Sequence, residues 1–386
     1  MTSAHSPDAF PGISQQSSSP QSGASLEITA LLGRLDLPTD GVRDYCKHLS
    51  QAFARRGDRM DVIELRWENN GWLKTLRSLW KQSRAWKHRR VLLQYTALMW
   101  SRRGFPVRAL AVLAILKWRR VRLGVVFHDA GYAPARGWIR RIRVACQIFT
   151  MRAAFRRAEF PVLTVPATKI SWLPRDSRRA VFIPVGANFP ADGTVDMQAN
   201  LPSAPTVAVF GVTEGPHIAP EAGDIAYAMK HAAGKVPHLR LMVLGRGALE
   251  AELALRKELA GTDIALSVSG VLPAEEVRAR LAQADVLLFV RGPISSRRGS
   301  AIAGIVCGLP VVGYRGGDTA PPITEAGVLL VENNDRNALA EALTRVLTDG
   351  QLYQDLCQRD IVATIKHFSW DAIAAQFVRA LTGASA

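Results

Sequence analysis

The sequence predicts an α/β protein made of two doubly wound, parallel-sheet domains. Three observations carry that prediction. Short runs of Val, Leu and Ile, each closed by Gly or polar residues, alternate with segments of helical periodicity along the body of the chain. A stretch rich in Pro, Ala and Gly, 191–205, interrupts the alternation and divides it into two parts of similar length. The net charge of +16 is also divided. Over 26–195 about 32 Lys and Arg stand against about 12 Asp and Glu, and the rest of the chain is slightly acidic. A chain of 386 residues with 48% hydrophobic residues can fill two cores.

The elements follow in order. Residues 1–25, rich in Ser, Gln and Pro, read as a disordered tail with no basic start or apolar core of a signal peptide. The first domain, 26–190, opens with a strand over 28–35, a loop over 36–41 and a helix over 42–56. Strands follow at 60–65, 91–95, 123–127, 161–165 and 180–184, with helices at 107–118 and 138–157. After the linker 191–205 the second domain runs over 206–365. Its strands are expected at 207–211, 239–244, 264–267, 285–290, 309–314 and 328–331. Its helices are expected at 221–233, 249–260, 275–283, 301–307 and 337–348. A closing helix occupies 366–386.

Cys46, Cys146, Cys307 and Cys357 lie far apart with no CxxC pair, which argues against a zinc or redox site. Three of the four fit apolar helical patterns as small core residues. The longest apolar run, 109–116, would reach only about 12 Å as a helix against a bilayer core of about 30 Å. A cytoplasmic protein, peripheral on a membrane at most, is the expectation.

The stretch 285–317 is the most informative. A polar loop, 293–300, joins two strands buried on both faces through a short apolar helix, and Gly308-Leu309-Pro310 ends that helix. The loop therefore sits at the carboxyl end of one strand and the amino end of the next helix, where open α/β sheets bind anions. Arg297, Arg298, Gly299 and Ser300 lie at that point.

These segments, taken in order, resemble a family of known proteins. GVRDYCKHLSQAFARRG, LGVVFHDAGY, RAVFIPVGANF, LMVLGRG, VSGVLPAEEVRARLAQADVLLFV, CGLPVVGYRGG, AGVLLVENNDRNALAEAL and FSWDAIAAQF are similar to the ordered motifs of family 4 (group 1) glycosyltransferases. The resemblance implies the GT-B fold, two Rossmann-like doubly wound domains facing a cleft, with the closing helix returning toward the first. It implies a retaining transferase taking a nucleotide-sugar donor to a glycan or polyprenyl-linked acceptor, as in bacterial polysaccharide or glycoconjugate synthesis. The family's two glutamates, with seven residues between them, would fall at Ser295 and Ala303, so both carboxylates are replaced. The Arg and Lys that commonly follow the first strand of the second domain are also missing from Gly211 to His217. A divergent branch carries arginines and Gly-Ser in this loop. The replaced carboxylates leave a second reading open, a non-catalytic GT-B protein that binds a nucleotide sugar or a partner.

The chemistry calls for neutralising a departing diphosphate. No Asp-x-Asp pair is present to hold a metal, so the cations must be side chains and the expectation is a metal-independent enzyme without cofactor. Arg246, Arg297, Arg298, the N–H groups of Gly299 and Ser300, and the close approach allowed by Gly41 are the candidate diphosphate contacts. By resemblance His128 contacts the transferred sugar or leaving group, with Asp129 beside it, and Gly270 and Val271 meet the nucleotide base. Glu325 is a candidate ribose partner. The loop of Arg297 and Arg298 is expected to be exposed.

Two basic segments have an apolar face. Trp72, Leu73, Leu76, Leu79 and Trp80 share one, and Trp138, Ile142, Ala145, Phe149 and Phe155 another. The first, within 72–90, is the expected contact with an anionic membrane, and the second is expected to be partly core. No nucleic-acid module is recognisable, so no specific nucleic-acid partner is expected.

Overall fold

The computed structural model describes residues 25–33, 41–87, 89–129, 131, 137–190, 202 and 204–383. Most of the expected tail and linker, 1–24 with 191–201 and 203, and the expected loop at 36–40 lie outside the described residues.

The first sheet is built from β1 (Glu27–Leu32), β2 (Arg59–Glu64), β3 (Arg90–Tyr95), β4 (Arg122–Phe127), β5 (Phe160–Leu163) and the two-residue β6 (Val181–Phe182). All pairings are parallel, in the order β2-β1-β3-β4-β5-β6. Around it lie α1 (Gly41–Arg55), α2 (Trp67–Asn70), α3 (Trp72–Gln82), α4 (Ala109–Trp118) and α5 (Trp138–Arg157). The second sheet holds β7 (Thr206–Phe210), β8 (Arg240–Leu244), β9 (Ala265–Ser269), β10 (Val286–Phe289), β11 (Val311–Tyr314) and β12 (Val328–Val331). Its parallel order is β12-β11-β10-β7-β8-β9. Its helices are α6 (Ile218–Ala233), α7 (Ala248–Glu258), α8 (Ala274–Leu281), α9 (Gly299–Val306), α10 (Arg336–Thr348) and α11 (Gly350–Ala363). A π-helical turn, Thr364–Phe368, leads into α12 (Trp370–Thr382), whose amino end Ser369 caps by accepting from the Ala372 N–H.

Burial explains the apolar runs. In β7 and β10, Val207, Val209, Val286 and Leu288 fill one core, while Ala208, Leu287 and Phe289 fill another on the opposite face. That second core continues through Phe368, Trp370 and Phe377 into the first domain. The closing helix therefore belongs to the first domain's packing. Trp370 stacks near Tyr45 and His48 and donates from Nε1 to the Phe189 carbonyl at 3.0 Å. Arg55 pairs with Asp371 at 2.8 Å. Gly186 makes room for this indole, since a Cβ there would lie 2.7 Å from it.

Both sheets reverse direction of winding, at β1/β3 and at β7/β10. Ligands of open α/β sheets bind outside the strand ends at such points.

Two expectations change here. The apolar face of 72–90 is turned inward: Leu79 is buried, and Trp72 and Leu76 pack against the core, with Trp72 stacked on Trp67 at 5.1 Å. Trp80 is covered by the Arg119 guanidinium, 3.8 Å from its ring. Only Leu73 of that face is strongly exposed. Nor is the 293–300 loop an exposed flap. Ser295 and Ser296 are buried, the Ser296 hydroxyl donates to the Thr164 carbonyl at 2.7 Å, and the Val185 N–H donates to the Ser296 carbonyl at 2.9 Å. These bonds fasten the loop to the first domain.

Among the described residues no helix is long and apolar enough to cross a membrane. The four cysteines are free, with Cys46 and Cys357 buried in the cores.

Candidate active site

The switch points open into one cleft of about 530 Å³ between the domains. From the first domain come Gly41, Asp44, Lys47, His48 and Asn188. From the second come the segments that leave β7, β8 and β10, and the start of α9. Seven sequence candidates line it: Gly41, Arg246, Val271, Arg297, Arg298, Gly299 and Ser300.

Two arginines dominate its second-domain wall. Arg291 lies two residues past the end of β10 at the switch point, and Arg298 occupies the N-cap position of α9. The Nε atoms of both are buried and make no hydrogen bond among the described residues. Burial holds the pKa of each below the usual arginine value; Arg246 adds to this for Arg291, and Arg297 and Arg291 add to it for Arg298. Crowded, under-paired cations are costly unless an anion completes them. Gly211 lets Arg291 lie there, since a Cβ would stand 2.9 Å from Nη1. Arg297, by contrast, is tied to Asp318 through Nε at 3.0 Å. Arg246 has Glu214 at 3.9 Å.

Helix ends add to this field. The first N–H groups of α1 and α9 have no acceptor within their own helices. Among the described residues nothing stands within 4 Å of a Cβ built on Gly41, and the start of α1 lines the cleft. A Cβ on Gly299 would stand 2.7 Å from Asn188 Oδ1, so glycine is what lets α9 approach the first domain. The Gly-Arg-Gly turn has a packing reason: Gly245 and Gly247 have φ of 93° and 73°, and a Cβ on Gly247 would collide with the Val212 carbonyl.

The remaining candidates lie elsewhere. Gly270 precedes Val271, and its carbonyl accepts the Gly245 N–H at 3.0 Å. His128 and Asp129 do not line this cleft. His128 sits edge-on to Tyr45 at 5.2 Å, and its Nε2 is 2.8 Å from Gln94 Oε1, a pairing that places the proton on Nε2. Burial pulls its pKa down to about 4, so the ring is neutral at neutral pH. Asp129 Oδ2 accepts the Ala97 N–H at 2.8 Å and lines a neighbouring first-domain cavity. Glu325 is a correction. It lies in a 3-10 turn, Ile323–Glu325, anchored to α11 by Arg359, which donates to the Thr324 and Glu325 carbonyls, and it lines a separate cavity with Lys169 and His367. It is not part of the lining of the cleft.

Sequence reasoning missed Arg291, His48 and Asn188. A charged residue closing a buried strand at the winding reversal was the available signal for Arg291. His48 follows Gly41 and Asp44 on one face of α1, and burial lowers its pKa.

This architecture has known counterparts. The family described as glycosyl transferases group 1 matches residues 222–349. The second domain is similar to that family over most of its length. Solved structures with the same fold extend the likeness over both domains. Sucrose-phosphate synthase (tll1590) from Thermosynechococcus elongatus is 19% identical, with 93% of this chain and 100% of that chain covered at a TM-score of 0.63. Anabaena Alr3699/HepE in complex with UDP and glucose is 14% identical over 93% and 100%, at 0.60. A glycosyltransferase from Rickettsia africae ESF-5 is 13% identical over 94% and 100%, at 0.61. No curated protein sequence matches the chain. The GT-B fold and the activity class, glycosyl transfer, stand on these findings together with the two parallel sheets.

Proposed function

We propose that this glycosyltransferase takes its sugar from a nucleotide-sugar donor, retains anomeric configuration, needs no metal, and serves a glycan or lipid-linked acceptor in bacterial polysaccharide or glycoconjugate synthesis. The observation that carries the proposal is the pair Arg291 and Arg298, buried at the β7/β10 reversal with unpaired Nε atoms. HepE, of the same fold, is known with UDP and glucose, which supports a nucleotide diphosphate in this cleft.

Bond breaking at the sugar leaves negative charge on the departing diphosphate. Arg291, Arg298 and Arg246, with the α9 N–H groups of Gly299 and Ser300, are fixed before reaction and meet that charge without reorganising. Arg297 is a lesser contact because Asp318 already shares it. The guanidinium cluster and the lack of an Asp-x-Asp pair support metal independence. A neutral His128 suits orientation of the sugar side better than base catalysis, with Asp129 bracing its loop through the Ala97 N–H.

The decisive experiment screens UDP and a panel of nucleotide sugars by thermal shift, then measures transfer to bacterial lipid extract with and without a chelator. Stabilisation by one donor, with turnover unchanged by chelation, is expected. Turnover abolished by the chelator and restored by magnesium would remove the metal-free mechanism. A second reading, a non-catalytic nucleotide-sugar binder, is favoured by Ser295 and Ala303, both fully buried where the family carries glutamates. Tight donor binding with no turnover would establish it.

A further inference from the structure

We infer that the outward face of α5 docks on an anionic bilayer. The inference deepens the proposed function by naming where its acceptor resides. The inner face of α5, with Gln147, Thr150, Met151, Ala154 and Phe155, is buried. The outer face is not polar. Trp138, Ile142 and Phe149 recur at helical spacing and are 71%, 49% and 61% exposed, with Ile139 beside them. Single exposed apolar residues are ordinary, but a stripe of this kind marks an interaction surface.

Charge identifies the partner. The helix carries Arg140, Arg141, Arg143, Arg152, Arg156 and Arg157 and no Asp or Glu. A second copy laid on this face would set arginine against arginine with no carboxylate between. Nucleic acid would satisfy the cations and leave the Trp, Ile and Phe side chains in water. An anionic membrane surface satisfies both, with the apolar stripe at the acyl boundary and the guanidinium groups among headgroups. The surroundings agree. Ile139 and Leu98, itself 61% exposed, also line a cavity of about 870 Å³ whose walls include Arg102, Arg103, Arg140 and Arg143. Docking by α5 sets this arginine-lined cavity at headgroup level, where the phosphate of a membrane-borne acceptor enters.

Flotation of the full chain with vesicles tests this. The wild type is expected to float with vesicles of phosphatidylglycerol and phosphatidylcholine at low salt, and to stay behind with phosphatidylcholine alone. The Trp138→Ser/Ile142→Ser/Phe149→Ser variant and the Arg140→Gln/Arg141→Gln variant are each expected to partition about tenfold more weakly or worse. The altered side chains are solvent-facing, and circular dichroism with UDP binding confirms that each variant is folded. A wild type that ignores the anionic vesicles overturns the inference. So does a triple variant that floats as well as the wild type, or capture of a DNA duplex in place of vesicles. Unchanged affinity for the nucleotide sugars of the panel is expected in all three proteins; failure of all three to bind any of them would sink the proposed donor class and leave the docking result standing.

Discussion

The two walls of the cleft invert the charge of the domains that build them. The first domain holds all of the excess positive charge, yet it offers the cleft Lys47 beside Asp44, the polar Asn188, and His48, whose pKa is lowered by burial. The second half of the chain is slightly acidic, yet its wall gathers Arg246, Arg291, Arg297 and Arg298. Bulk charge therefore does not locate an anion site. The first domain spreads its cations over solvent-facing helices, where each is screened and contributes little. The second concentrates a few in a partly dry place, where each counts for more and where leaving them unpaired is costly.

The sharpest way to break this contrast is Arg291→Met with Arg298→Met. Each charge-assisted contact contributes roughly 1.5–3 kcal/mol, so the double variant should lose at least about a hundredfold in donor kcat/KM. Its apo melting temperature should hold or rise, because two under-paired buried cations are gone. Ordinary donor kinetics in that variant would move the anion elsewhere.

In the first domain, away from the cleft lining, the effect should appear in stability. His128 has its pKa pulled down to about 4 by burial. The unfolded chain takes up its proton near pH 6.5, before the folded one does. Stability is therefore fully present above about pH 6.5 and falls as pH drops toward 4, by as much as about 3 kcal/mol. His128→Asn should flatten that slope in denaturant titrations followed across pH, while the wild type retains it.

The smallest effects should separate the partly paired arginine from the truly exposed ones. Arg297→Ala should cost about tenfold in donor affinity, since Asp318 already shares its charge. Arg178→Gln, at a site 98% exposed by side chain, should leave donor affinity within about twofold. Equal losses at the two sites would mean that long-range charge, not the built cleft, attracts the donor.

Much of this fold was legible because buried parallel strands write themselves as runs such as 286–289 and 328–331, and helices end at Gly or Pro. The helices at 138–157 and 337–348 were read nearly to the residue. The strand expected over 180–184 shrinks to Val181–Phe182, where one neighbour at the sheet edge sets the pairing length. The start of α9 falls two residues before the apolar pattern begins, because the Arg298 carbonyl already accepts the Ala301 and Ile302 N–H groups. All six diphosphate candidates converge on the cleft, since their place between strand ends and helix starts follows from periodicity. Arg291 was not foreseen, because its role depends on which strands become neighbours in the sheet. The apolar faces of α3 and α5 were both visible, but periodicity gives a stripe and not the side to which it turns. Packing against Trp67 and the core turned one inward, and in α5 the core took Met151 and Phe155, so Phe155 leaves the expected face while Trp138, Ile142 and Phe149 stay outward.

The keying of Trp370 into the first domain has a mechanical consequence. The polypeptide passes between the two bodies twice, once after Phe189 and once through the π-helical turn before Ser369. Ser296, bonded to Val185 and Thr164, adds a third tie between the bodies next to the loop that bears Arg298. The phosphate grip is thus braced from both sides of the cleft, and loosening this tie should loosen the grip.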